Sequence, residues 1–224
     1  MAADTIGGGT NEDGSLQNTL VLDESDAGKI DVTPLDNAGR TLLAVSKKVE
    51  DVKIGLKGDV DTATTGKLLV NAQISNEAPK GETANIVIAN TKTKNLEFVA
   101  TDKGATALDV REGKFVKGSI TTSESKAQDS INFGATTTIN KGSISTGRGA
   151  DTLTFTGGLT LKGKTIIETG KGKDVVEIGE TRQGKGKLVL SDFSSKDKLV
   201  VGDETLRLDD IENGDAPKWV KLDA

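Results

Sequence analysis

The 224 residues include no cysteine and no histidine. This removes disulfides, thiol nucleophiles, the usual zinc ligands and the side chain that most often serves as a general base near neutral pH. Apolar residues make up 34% and aromatics 3%, too few for a thick globular core but enough for a thin, regular one that buries a few aliphatics per layer. Charge is nearly balanced, with 29 basic against 34 acidic residues and a net charge of −5, which argues against a nucleic-acid-binding role, and no run approaches the roughly 18 apolar residues of a membrane span.

Residues 1–17 are rich in Gly, Asn, Asp and Ser. They lack the basic start and apolar stretch of a Sec signal peptide, so none is expected. A segment this polar buries little of its own surface, and an extended arm is expected. Such an arm either lies along its own domain or docks on a neighbouring subunit. Residues 18–82 read as an irregular β-rich region. NTLVLD, KIDV, TLLAV, VKIGL and KLLVNAQI are strand-like runs bounded by turn residues such as DESDAG, DNAG and NEAPKG.

Residues 83–209 carry a repeat. Ile86, Leu108, Ile131, Leu153, Val176 and Leu199 follow one another at steps of 22, 23, 22, 23 and 23. Two positions after each stands another apolar residue: Ile88, Val110, Phe133, Phe155, Ile178 and Val201. A fixed period in this range marks a solenoid, with each copy one coil stacked on the last. Asp129, Asp151, Asp174 and Asp197 open successive coils as D-x-apolar-x-apolar. A second apolar segment follows at Ile139 or at Leu159 and Leu161, and a third at Ile144, Ile166 and Val189. Three short strands per coil with Gly-rich corners predict an all-β fold, a parallel β-helix or β-solenoid of 22–23-residue coils stacked at about 4.8 Å. Phe133 should then sit over Phe155. The rival architecture is a β-sandwich of short strands. Arg182 falls where the second strand wants an apolar residue, so that face should be irregular there. After Val201 the register is lost. TLRLDDIEN suits a short helical turn, and residues 210–224, with the single tryptophan Trp219, are expected to cap the open end of the stack.

Two corners repeat a pattern. Gly147-Arg148-Gly149-Ala150-Asp151 and Gly170-Lys171-Gly172-Lys173-Asp174 both read G-x-G-x-D. With the stretch Asp192-Phe193-Ser194-Ser195-Lys196-Asp197-Lys198-Leu199, they resemble RTX (hemolysin-type calcium-binding) repeats, over about residues 127–201. The resemblance implies calcium held between coils by carboxylate and carbonyl oxygens, with Asp151 and Asp174 as ligands. The copies depart from the family pattern. Thr146 and Thr169 replace its first glycine, the repeats recur once per coil, and Lys171 and Lys173 crowd one corner. Read without the family, the same Asp and Gly are turn residues that bond corner amides, and no cofactor is needed.

Other chemistry finds little footing. Carboxylates are scattered where a carbohydrate-cleaving solenoid would pair them beside aromatics. The Thr152, Thr154 and Thr156 row is followed by Val175, Glu177 and Gly179, so an ice-binding ladder fails after one rung. The Lys/Gly runs lack Walker spacing. The expectation is therefore a non-enzymatic structural protein at a virion surface or outside the cell. A capsid decoration or cement protein, or a tail-associated protein, comes first, and a bacterial surface-layer component second. Its partner would be the larger assembly, contacted through the N-terminal arm, with neither nucleic acid nor membrane involved; homo-oligomerisation is compatible with this. The alternatives are a secreted RTX-like calcium-binding protein and a glycan-binding adhesin.

Overall fold

The computed structural model describes the backbone of strands within residues 7–69 and most residues from Val70 to Asp223. Residues 77, 90, 91, 101, 102, 135, 136, 157, 158, 180 and 181 lie outside that description, and side chains are described from Val70 on, without those of Leu159, Arg182 and Gln183.

The chain is an all-β parallel solenoid. Its first-strand ladder stacks Thr83–Ala89, Ala105–Arg111, Ser130–Phe133, Thr152–Phe155, Val175–Ile178 and Lys198–Val201, each parallel to the next. The second ladder runs through Lys92–Lys94, Lys114–Val116, Thr138–Asn140, Leu159–Lys162 and Arg182–Gln183. The third stacks Gln73–Asn76, Glu97–Ala100, Ser119–Thr121, Ser143–Ser145, Lys164–Glu168 and Lys187–Leu190.

Alternation along each strand sends every second side chain inward. The repeat residues Ile86, Leu108, Ile131, Leu153, Val176 and Leu199 are all buried and stand in one register column. A second column runs Ile74, Phe98, Ile120, Ile144, Ile167 and Leu190. Phe133 lies over Phe155 with ring centroids 5.3 Å apart and planes 7° apart. Phe115 meets Phe133 edge-on, centroids 6.0 Å apart. Two positions differ from the expected spacing, Ile166 and Val189, which pair with each other beside the column that runs Ile144, Ile167 and Leu190. Ile144 stacks on Ile167, and Ile166 stands outside the buried core. The third strand of that coil is Lys164–Glu168, whose alternation turns Thr165 and Ile167 inward. The simple count of 15 from Asp151 and from Asp174 is therefore one residue short in both coils.

The turn between second and third strands repeats a left-handed residue in successive coils: Asn71 (φ 49°), Asn95 (φ 53°), Lys117 (φ 50°), Lys141 (φ 60°) and Gly163 (φ 75°). Asn tolerates this region better than most residues because its side chain can bond locally. Here the Asn95 amide donates to Asn71 Oδ1 at 2.9 Å, joining adjacent coils.

The ladders continue toward the N-terminus through Leu16–Leu22, Thr41–Glu50 and Asp61–Val70 on one side and Gly28–Val32 and Val52–Leu56 on the other, all parallel, with a register shift between Val45 and Lys48. Gly7–Thr10 lies antiparallel to Leu16–Thr19. At the other end Glu204–Leu206 folds back antiparallel on Leu199–Val201. A short helix, Leu208–Asn213, follows, and Val220–Leu222 adds a parallel strand to Lys187–Leu190. Leu206, Ile211 and Val220 are buried, and Trp219 packs partly buried against the same core.

Candidate functional site

The corner that joins each third strand to the next first strand holds the RTX-like residues. Asp129, Asp151, Asp174 and Asp197 are each at most 2% exposed there. They form a ladder one coil apart. Asp197 Oδ1 accepts the backbone N–H of Asp174 at 3.0 Å, Asp174 Oδ1 that of Asp151 at 2.9 Å, and Asp151 Oδ1 that of Asp129 at 2.8 Å. Asp129 Oδ1 in turn accepts the Thr106 N–H at 2.7 Å. Each carboxylate thus satisfies an amide that a non-repetitive corner would leave without a partner.

The Asp197 end of the ladder differs from the rest. Asp197 Oδ2 accepts the Ser194 N–H at 2.7 Å. The Arg207 guanidinium donates to the Asp197 carbonyl at 3.1 Å and to the Lys196 carbonyl at 3.3 Å, closing the corner from the cap side. In the other three, Asp129, Asp151 and Asp174, Oδ2 is buried and finds no hydrogen-bond partner. Burial lifts all three carboxyls above the ordinary 3.8, with Asp151 pushed up to about 7 and Asp174 to about 6. For Asp151 and Asp174 the neighbouring aspartates add to the rise, because like charges in one column disfavour each other's ionisation. The amide hydrogen bonds, and the nearby Thr122 and Thr146 hydroxyls at Asp129 and Asp151, oppose it without cancelling it.

A threonine column lines the same corner, and sequence inspection did not pick it out. Thr122 Oγ1 donates to the Thr146 carbonyl at 2.9 Å, and Thr146 Oγ1 to the Thr169 carbonyl at 2.8 Å. Asp192 takes the next position: its Oδ1 accepts the Thr169 N–H at 2.7 Å and its Oδ2 the Gly170 N–H at 2.8 Å. The signal for this column was present. Thr146 and Thr169 are the residues that depart from the RTX pattern, and each supplies a hydroxyl that bridges to the next coil.

The motif glycines have a packing role. A Cβ on Gly170 would overlap the Gly147 carbonyl oxygen, and one on Gly172 the Gly149 carbonyl oxygen. Gly147 and Gly170 also sit at φ 79° and 78°. The two corners lie so close that Arg148–Gly149 and Lys171–Gly172 form a small parallel ladder of their own.

The structure therefore brings Asp151 and Asp174 together in one column, each with one oxygen committed to a neighbouring amide and one unpaired. Among the described residues no group of three or more acidic side chains is arranged to enclose a metal ion. Arg182 pairs through its backbone with Leu159.

Fold and corner together define a β-solenoid protein with an internal aspartate ladder. Comparison with known proteins takes the assignment no further: no family model, no curated protein and no solved structure matches this chain.

Proposed function

We propose that this chain is a non-enzymatic structural protein that decorates or cements a larger assembly, a virion before a bacterial surface layer, as a capsid decoration or tail-associated component. The observation that carries this reading is the packed cap that ends the stack at its C-terminal side. An open solenoid end offers an unpaired strand edge that templates further growth. Here the three-residue strands Glu204–Leu206 and Val220–Leu222 take the outermost places of the first and third ladders, where short strands blunt the edge, and Leu206, Ile211 and Val220 bury the end of the core. A stack capped in this way suits display as a unit, with its other end turned toward the assembly. The corner's inward polar groups fit the same role, since aspartate and threonine side chains bond coil to coil. The test is to fractionate purified particles on a density gradient and measure the chain by mass spectrometry and antibody labelling. Co-sedimentation at fixed copy number supports the proposal; recovery only in the soluble fraction overturns it.

A second reading, an RTX-like calcium-binding protein, is favoured by one observation. The unpaired buried oxygens belong to Asp151 and Asp174, the aspartates of the RTX-like motifs, as well as to Asp129. Metal dependence of folding separates the two readings.

A further inference from the structure

Lys80, Lys103, Lys126, Arg148 and Lys171 follow one another at steps of 23, 23, 22 and 23 residues, one cation per coil on the outside of the aspartate corner. All five are exposed. Lys80, Lys103, Lys126 and Arg148 line one open groove of about 910 Å³, and Lys126, Arg148 and Lys171 line the concavity beside it. Arg148 and Lys171 are direct register partners. Like charges set side by side in a ladder repel one another, and of these two Arg148 has Glu124 at 3.9 Å. The sequence is also segregated. Residues 80–198 hold 19 Lys and Arg against 14 Asp and Glu, and the remainder of the chain holds 10 against 20. The acidic overall balance hides a basic central rod.

We infer that this corner binds a linear acidic polysaccharide, laid along the stack with one carboxylate or sulfate facing each coil. The cations recur at the coil pitch of about 4.8 Å, close to the length of one sugar ring. Hydroxyl-bearing Thr83, Thr121 and Ser125 line the same groove and can bond ring hydroxyls. Nucleic acid fits less well. Single strands are held by exposed aromatics on which bases stack, and Phe98, Phe115, Phe133, Phe155 and Phe193 are buried. Glu82 and Glu124 also line the groove, with Glu124 3.9 Å from Arg148. These carboxylates confine the positive charge to a narrow strip, where a duplex needs a broad basic surface.

The experiment measures binding of the full chain to polygalacturonate at low salt by calorimetry, with neutral dextran and double-stranded DNA as comparisons. Binding to polygalacturonate and not to dextran is expected. It should fall at least about tenfold in the Lys126→Glu/Arg148→Glu variant and weaken steeply as salt screens the charges. Lys126→Gln/Arg148→Gln serves as a milder variant should the charge reversal disturb folding, and Lys92→Glu/Lys114→Glu, on the second-strand face, should bind as the parent does. Absence of polygalacturonate binding, binding undiminished in both corner variants, or tighter binding to DNA would each overturn the inference.

Discussion

Asp151 accepts the backbone N–H of Asp129 through Oδ1 at 2.8 Å, while its Oδ2, equally enclosed, meets no partner. The two oxygens pull the carboxyl in opposite directions. The amide bond favours the charged form, burial and the flanking aspartates favour the neutral one, and burial prevails, taking the group to about 7.

The sign of the pH dependence follows. A carboxyl whose value is higher in the folded than in the unfolded chain contributes stability that is complete below the unfolded value near 3.8. That contribution is lost as pH rises through the folded values, about 6 for Asp174 and about 7 for Asp151. The melting temperature should therefore be higher at about pH 5 than at about pH 8, a tenfold difference in proton affinity between the two states being worth roughly 1.4 kcal/mol. Asp151→Asn keeps an oxygen to accept the Asp129 amide and removes the charge, so it should flatten the profile and raise stability at the alkaline end. Melting curves across this range decide it. A profile rising from about pH 5 to about pH 8 in the parent chain would contradict the ladder's electrostatics.

Gly172 separates two reasons for a turn glycine, conformational freedom and room. Its backbone angle is one that other residues can adopt, since it is absent from the positive-φ positions, yet an added Cβ would overlap the Gly149 carbonyl oxygen. Gly214 is the converse, with φ 93° and open space around it. Gly214→Ala should cost about 1 kcal/mol through backbone strain alone. Gly172→Ala should cost more, because two coil corners must separate and the Arg148–Lys171 ladder must open. Denaturant titration of both variants tests the order; equal losses would show that the corners are not held this close.

Leu153 lies 1% exposed in its column, with Ile131 and Val176 as register neighbours. Leu153→Ala should destabilise by about 2–5 kcal/mol, the range for truncating a buried leucine. Leu153→Asp, which places a charge between two aliphatic layers, should prevent folding outright. A soluble Leu153→Asp variant with unchanged melting would show that this side chain does not face the core.

The solenoid was legible because its period is written in large side chains. Six copies of Ile, Leu or Val at 22–23-residue steps leave few other folds, and the Phe133–Phe155 stack followed from the same register. The third strand was harder to place. A coil that lengthens by one residue moves the column from Ile166 to Ile167 and from Val189 to Leu190, and all four are aliphatic, so composition carries no sign of the change. The early ladders from Leu16 on were read as irregular because their spacing drifts, with register partners Ile30, Ile54 and Ile74 at steps of 24 and 20, and because the register shifts near Val45. At the corner, the aspartates stood out by spacing and the threonines did not. A threonine in a turn is common, and its hydroxyl bond to the next coil is a property of the stack.

Calcium should leave the melting temperature unchanged. A calcium site needs six to eight oxygens free to turn toward the ion. In this corner Oδ1 of Asp129, Asp151, Asp174 and Asp197 each accepts an amide from the adjacent coil. Both oxygens of Asp192 are likewise engaged, by Thr169 and Gly170. The ladder thus supplies from within what an RTX array obtains from metal, and Lys171 and Lys173 at its outer edge disfavour an approaching cation. The measurement is a thermal melt of the purified chain in EDTA and in millimolar calcium. Coincident curves are the expected result. A large rise with calcium, lost in Asp151→Asn and Asp174→Asn, would mean that the amide bonds give way to the ion, and the calcium-binding reading would replace the structural one.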